Sequence, residues 1–245
     1  MSGLRLDSIY TGDLIEVMRS MPDACVDLAF ADPPYNLDKA YGRYEDDLRD
    51  REYVEWCNGW LEEYIRLLKP NGSLFVLNLP KWCIHHAAFL STRLYLQHWI
   101  VWDAPGEPRG KIFPAHYGIL YYTASADRYT FNNPPRVYPP DFCFRMKCVA
   151  NRARWEHVVE PLSDIWWDIH RIRHKRDRDE HPCQLPVKLL ERIISIASNP
   201  GDVVFDGFAG TGSTLVAAKS LGRRYVGIEL DPKYVGIAEK KLAGI

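Results

Sequence analysis

The sequence predicts one α/β domain whose sheet is mostly parallel and flanked by helices. The apolar run Val26–Ala31 ends at Asp32-Pro33-Pro34-Tyr35. A second strand pattern, Val203–Asp206, passes through a Gly-rich turn into a helix, and strand and helix patterns alternate over most of the remainder. At 245 residues, with 47% hydrophobic and 26% charged residues, the chain can bury one substantial core.

Taken in order, Ser8–Tyr10 and Val26–Ala31 read as strands and Glu52–Leu68 as an amphipathic helix. Lys69-Pro70-Asn71-Gly72 should stop that helix. A strand over Ser73–Leu77, a helix over Trp82–Leu94 and strands near Trp99–Trp102 and Gly118–Tyr122 complete the first half. From Phe131 to Arg178 prolines, tryptophans, cysteines and basic residues replace clean periodicity. Regular patterns resume with helices near Pro186–Ala197, Ser213–Leu221 and Pro232–Leu242 and strands Val203–Asp206 and Tyr225–Glu229. Sheet strands therefore come from both ends of the chain.

No apolar run approaches 18 residues and no export signal precedes the first strand, so the expected location is the cytoplasm, without membrane contact. Six scattered cysteines in a chain of this size are expected to be reduced thiols. The net charge of −1 excludes a uniformly basic surface, so any nucleic-acid face must be local. Arg136 to Arg178 holds ten Lys or Arg against six Asp or Glu, a local balance of +4. The densest part, Arg171, Arg173, Lys175, Arg176 and Arg178, is the candidate for phosphate contact; a solvated polar loop is the alternative. Trp155, Trp166 and Trp167 can brace this region or stack on displaced bases, with core packing the expectation for most. Cys143 and Cys148 have a spacing compatible with half of a zinc site. No second Cys pair follows, and His157, His170, His174, His181 or Cys183 could complete four ligands only through the fold; no metal is expected.

The corner at Asp32 is rigid, because two successive prolines fix φ twice and remove two backbone donors. It presents acceptors beside an aromatic ring, which suits a planar base with an exocyclic amino group; a plain strand-to-loop turn is the alternative. The glycine turn at 207–212 resembles a cofactor loop, but neither dinucleotide nor triphosphate patterns fit: Leu215 stands where the third dinucleotide glycine belongs, and Ser213 replaces the phosphate-loop lysine. Glu229, 23 residues beyond Asp206, ends the next strand where a carboxylate can accept from ribose hydroxyls. A nucleoside cofactor without a terminal phosphate is the remaining reading.

Asp32-Pro33-Pro34-Tyr35, Phe208-Ala209-Gly210-Thr211-Gly212 and Glu229 together resemble the amino-methylating DNA methyltransferases that use S-adenosylmethionine. With the catalytic corner ahead of the cofactor loop, the order resembles their permuted β class. The resemblance implies a Rossmann-like methyltransferase fold with an irregular target-recognition region inserted at 126–180, between a catalytic half at 1–125 and a cofactor half at 181–245. It implies cofactor contacts from Asp13, in Thr11-Gly12-Asp13, from Asp32, from His181 and Gln184, from Asp206, from Phe208 to Ser213, and from Glu229. Gly207 stands where the family often has proline, and Tyr117 where an acid is common.

In the mechanism so implied, Asp32 and the carbonyl of Pro33 each accept one amino hydrogen of a flipped-out base and Tyr35 stacks on it. Cysteine nucleophiles are unnecessary. An Asp at the corner favours adenine N6, with cytosine N4 as the alternative. An RNA methyltransferase or an inactive cofactor- and nucleic-acid-binding protein is the alternative of another class. Double-stranded DNA is the expected partner, with a companion restriction endonuclease and a homodimer also implied.

Overall fold

The computed structural model describes residues 4–38, 40–41, 44–104, 114–132, 162–172 and 184–245. The main sheet has eight strands in the order β1-β10-β9-β2-β5-β7-β6-β8. These are β1 Ser8–Thr11, β2 Val26–Ala31, β5 Leu68–Asn78, β6 Tyr95–Asp103, β7 His116–Thr123, β8 Ile165–Trp166, β9 Val203–Asp206 and β10 Arg224–Glu229; β3 Ala40–Tyr41 and β4 Tyr44–Glu45 form a separate ribbon. The helices are α1 Leu14–Ser20, α2 Asp50–Leu67, α3 Pro80–Leu90, α4 Val187–Ala197, α5 Ser213–Ser220 and α6 Pro232–Ala243.

Alternate residues of β2 enter opposite cores. Leu28 and Phe30 pack with Leu190 and Ile193 of α4, Ala217 of α5 and Ala238 of α6. Val26, Ala29 and Ala31 face Met18 of α1, Trp60 and Tyr64 of α2 and Leu90 of α3. A sheet buried on both faces explains why β2 and the Leu74–Leu77 stretch of β5 read as nearly unbroken apolar runs. Between β9 and β2 the topology reverses: α5 leads β9 outward to β10, whereas α2 leads β2 the other way to β5. That reversal opens a crevice beyond the carboxyl ends of β9 and β2.

Three expectations are corrected. Helix α2 ends at Leu67, and Lys69–Gly72 lies inside β5: Val26 pairs with Leu68 and Leu28 with Ser73, so the breaker residues bulge out of a ladder already begun. Helix α3 runs from Pro80 to Leu90, four residues short of Leu94, with proline in its first turn where the missing N–H costs nothing. Strand β7 runs antiparallel to both β5 and β6, and β8 adds a parallel edge strand within the stretch expected to be irregular. Five of the seven ladders are parallel, so the sheet is mostly parallel as expected.

Candidate active site at the strand reversal

The crevice is a cleft of about 1170 Å³, open solvent included. Asp13, Asp32, Pro33, Pro34, Tyr35, Gln184, Asp206, Phe208, Ala209, Gly210, Thr211, Ser213 and Glu229 all line it. The fold thus brings together residues separated by up to 216 positions, from Asp13 to Glu229. Gly212 caps α5 with φ of 80° and packs so closely that an added Cβ would lie 2.7 Å from that of Ala238. His181, Arg173, Lys175, Arg176 and Arg178, with Cys143 and Cys148, lie outside the described residues. No cluster of three or more potential metal ligands occurs among the described residues.

At the end of β2, the Tyr35 hydroxyl donates to Asp32 Oδ1 at 2.5 Å. Tyr35 is only 5% exposed, and its ring lies 5.6 Å from that of Tyr117, tilted by 45°. Tyr117 in turn meets Trp102, and the Arg171 guanidinium stands 5.6 Å from the Tyr117 ring centre. The backbone beyond the corner is tied from behind. Tyr53 donates its hydroxyl proton to the Pro34 carbonyl at 2.6 Å, and Trp82 Nε1 donates to the Tyr35 carbonyl at 2.8 Å. Buried Asp46 accepts from the N–H groups of Asn36 and Leu37 at 2.7 and 2.9 Å, holding Asn36 at φ of 56°. No hydrogen bond to the Pro33 carbonyl is formed among the described residues, and Pro33 lines the cleft.

The opposite wall is the β9–α5 turn. Asp206 is 2% exposed and accepts from the N–H of Phe208 at 2.9 Å; burial, with a smaller contribution from Glu229, raises its pKa to about 6. Glu229 receives the N–H of Gly210 on one oxygen and that of Asp231 on the other, both at 2.8 Å, while burial raises its pKa. The carboxylate keeps acceptor capacity for a further donor. The Tyr64 hydroxyl accepts from Gly207 N–H at 2.8 Å and donates to the Phe30 carbonyl at 3.1 Å. A Cβ at Gly207 would lie 2.6 Å from that hydroxyl, which accounts for glycine at this place. Asp13 caps α1 by accepting from Glu16 N–H, so its role in the cleft is shared with helix capping.

Sequence reading missed the apolar lining, Leu14, Trp56, Leu185, Leu190 and Tyr234, and the supports Tyr53, Trp82 and Asp46. Trp56 meets Phe208 edge-on at 6.0 Å. On the sequence these residues carry only helical or core periodicity. Trp166 is core, whereas Trp167 is 45% exposed. Cys57 and Cys83 are buried free thiols pushed up to about 12, unsuited to nucleophilic attack near neutral pH.

The cleft suits a nucleoside cofactor bearing a positive charge. It pairs apolar walls with a buried carboxylate, Asp206, and a half-buried one, Glu229, whose raised pKa values a cation would relieve, and a glycine turn gives close backbone approach. With a rigid acceptor corner facing that wall, fold and site have the layout of the class of methyltransferases that use S-adenosylmethionine.

Comparison with known proteins agrees. Residues 26–240 match the N6/N4 methyltransferase family model, described as DNA methylase, and the chain belongs to that family. The Type II methyltransferase M.BamHI of Bacillus amyloliquefaciens is 38% identical over 238 residues, 92% of this chain and 55% of that protein. The chain thus spans about half the length of that relative. The DNA adenine methyltransferase YhdJ of Escherichia coli (strain K12) is 30% identical over 260 residues, 98% of this chain and 84% of YhdJ. The putative DNA modification methylase TTHA0409 of Thermus thermophilus, solved with S-adenosyl-L-methionine, superposes with a TM-score of 0.67 at 26% identity, covering 96% of this chain and 93% of that one.

Proposed function

We propose that the chain methylates N6 of adenine flipped out of double-stranded DNA. The observation that carries this is the corner itself: Asp32 and the unengaged Pro33 carbonyl lie in the same cleft as Glu229 and the glycine turn. An exocyclic amino nitrogen is a poor nucleophile because its lone pair is delocalised into the ring. Two acceptors, one for each amino hydrogen, draw the nitrogen toward a tetrahedral shape and free the lone pair. S-adenosylmethionine supplies the electrophilic methyl group. Asp32 stabilises the positive charge that develops on nitrogen and takes the proton as it leaves. Phe208, Trp56 and Leu14 wall the cleft against water, and Glu229 with Asp13 orients the nucleoside end.

Adenine is favoured over cytosine by the acid that opens the corner, read through the family resemblance, and by the kinship with YhdJ. Duplex DNA as substrate, with phosphates met by the basic stretch from Arg171 to Arg178, rests on the charge balance of that stretch. A companion endonuclease and a homodimeric state rest on the resemblance alone, and light scattering with and without duplex tests the second.

The deciding experiment supplies methyl-labelled cofactor and mixed-sequence duplex DNA, then identifies labelled nucleosides by mass spectrometry. N6-methyldeoxyadenosine is expected. N4-methyldeoxycytidine would reassign the base, and no DNA label despite bound cofactor would favour RNA or an inactive module. Asp32→Ala is expected to lower turnover by at least about 1000-fold while cofactor affinity stays within threefold; near-normal turnover would remove Asp32 from its assigned role.

A further inference from the structure

We propose that Tyr53, Asn78 and His86 are positioning residues, a buried hydrogen-bonded chain that aims the Pro33 carbonyl at the substrate amino group. Tyr53 on α2 and Asn78 at the end of β5 are wholly buried, as is His86 on α3. The Tyr53 hydroxyl donates to the Pro34 carbonyl at 2.6 Å and accepts from Asn78 Nδ2 at 3.1 Å. The same Asn78 nitrogen lies 3.0 Å from His86 Nε2, and Asn78 Oδ1 accepts from Leu79 N–H at 2.7 Å. An amide nitrogen only donates, so its two hydrogens serve Tyr53 and His86, and His86 Nε2 must be the bare acceptor. The ring is therefore neutral with its proton on Nδ1. Burial lowers its pKa to about 3, which keeps it so. Nδ1 has no hydrogen-bond partner among the described residues. Packing alone does not explain a buried imidazole with one nitrogen unsatisfied, since an apolar side chain would avoid that penalty.

The consequence reaches the reacting atoms through the two proline rings. The Pro34 ring fixes φ at 34, and the Tyr53 bond fixes the carbonyl on the far side of the same Cα. With both sides of Pro34 held, the preceding peptide, which carries the Pro33 carbonyl, cannot swing independently. The Trp82 bond to the Tyr35 carbonyl extends the same restraint one residue on. The chain needs all its members: if His86 stops accepting, the Asn78 amide can turn and the Tyr53 hydroxyl loses the donor that orients its own proton toward Pro34. This inference rests on the amino-methylation reading for its effect on rate, but not for its geometry.

The test has two arms. Pro34-Tyr35 is the single Pro-Tyr step in the chain, so ¹³C-carbonyl proline with ¹⁵N tyrosine isolates one carbonyl–amide cross-peak in the whole protein. His86→Leu should shift that peak, and His86→Gln, which keeps an acceptor, should return it toward its native position. In single-turnover methylation of DNA, Tyr53→Phe and His86→Leu should slow the chemical step at least tenfold. Cofactor and DNA affinities, referred to the folded fraction counted by cofactor binding, should stay within about twofold, and His86→Gln should recover most of the rate. A cross-peak unmoved by His86→Leu overturns the proposal whether or not the parent methylates DNA. So does an unchanged single-turnover rate in folded Tyr53→Phe, or a loss that merely follows the folded fraction. A parent protein without methyl transfer would instead fail the functional reading, and the cross-peak would still decide the positioning chain.

Discussion

The hydroxyl of Tyr35 donates to Asp32 Oδ1, where it competes with an amino proton of the substrate for that oxygen. Ring and hydroxyl then have separable effects. Tyr35→Phe keeps the stacking face and removes the competitor, and steady-state assays should find kcat/KM within about threefold of the parent. Tyr35→Ala removes the face itself, and a loss of at least tenfold, mainly in KM for DNA, is expected from base–aromatic stacking worth about 1–3 kcal/mol. Asp206 invites a different test. Its ordinary pKa of 3.8 is raised to about 6 in the fold. Between those values the folded state holds a proton that the unfolded chain releases, so stability falls as pH rises through the window and remains lower above it. The loss is about 3 kcal/mol by linkage. Asp206→Asn, which can still accept from Phe208 N–H, should abolish most of that slope and raise Tm at pH 7.5 by several degrees. Affinity for the cationic cofactor should fall at least tenfold. Calorimetry at pH 4.5 and 7.5 with cofactor titration checks both; a variant that is less stable at pH 7.5 would refute the account.

Elements show which local signals suffice. β2, β9 and β10 were legible because each is a short apolar run ending at a carboxylate, and the helices near 187–197 and 232–243 because their apolar residues recur at helical spacing. Lys69-Pro70-Asn71-Gly72 says that the backbone must deviate, but not that the deviation occurs inside a strand, since the pairing of Val26 with Leu68 is set by a strand 42 residues earlier. The antiparallel direction of β7 agrees with residues 104–115, which hold three prolines and two glycines, too many for the helix that a parallel crossover employs. The turn after β9 illustrates an element constrained by a distant one. Gly207 faces Leu14 of α1 and Tyr64 of α2, and a Cβ there would lie 2.5 Å from Leu14 Cδ1. Gly207→Ala should cost about 1–3 kcal/mol through overpacking. A urea midpoint shifted down with an unchanged slope is the expected signature, and an unchanged midpoint would mean that α1 and α2 yield more easily than their packing suggests.

Across the whole molecule, the site was legible as a set of residue types and opaque as a place. Asp13, Asp32, Gln184, Asp206 and Glu229 could be named from motifs, yet only the strand reversal between β9 and β2 explains why they share one cleft. The supports behind it, Tyr53, Asn78, His86 and Asp46, come from helices and strand ends whose periodicity announces packing and nothing else. The proposed phosphate contacts draw on a different stretch of chain from the cofactor contacts. Arg171 does not line the cofactor cleft and stands over the Tyr117 ring, which meets that of Tyr35, whereas Arg173, Lys175, Arg176 and Arg178 lie outside the described residues. Replacing Arg171, Arg173, Lys175, Arg176 and Arg178 together by Gln should therefore weaken DNA binding strongly while leaving cofactor affinity within about twofold. If all five meet phosphates, the slope of log K against log salt should become shallower by up to about 4–5, since each contact contributes about 0.9. Fluorescence anisotropy of a labelled duplex from about 50 to 300 mM salt measures the slope, and calorimetry of the same protein measures the cofactor. An unaltered slope would return this run to the role of a solvated loop. A parallel loss of cofactor binding would place it in the cofactor half of the domain.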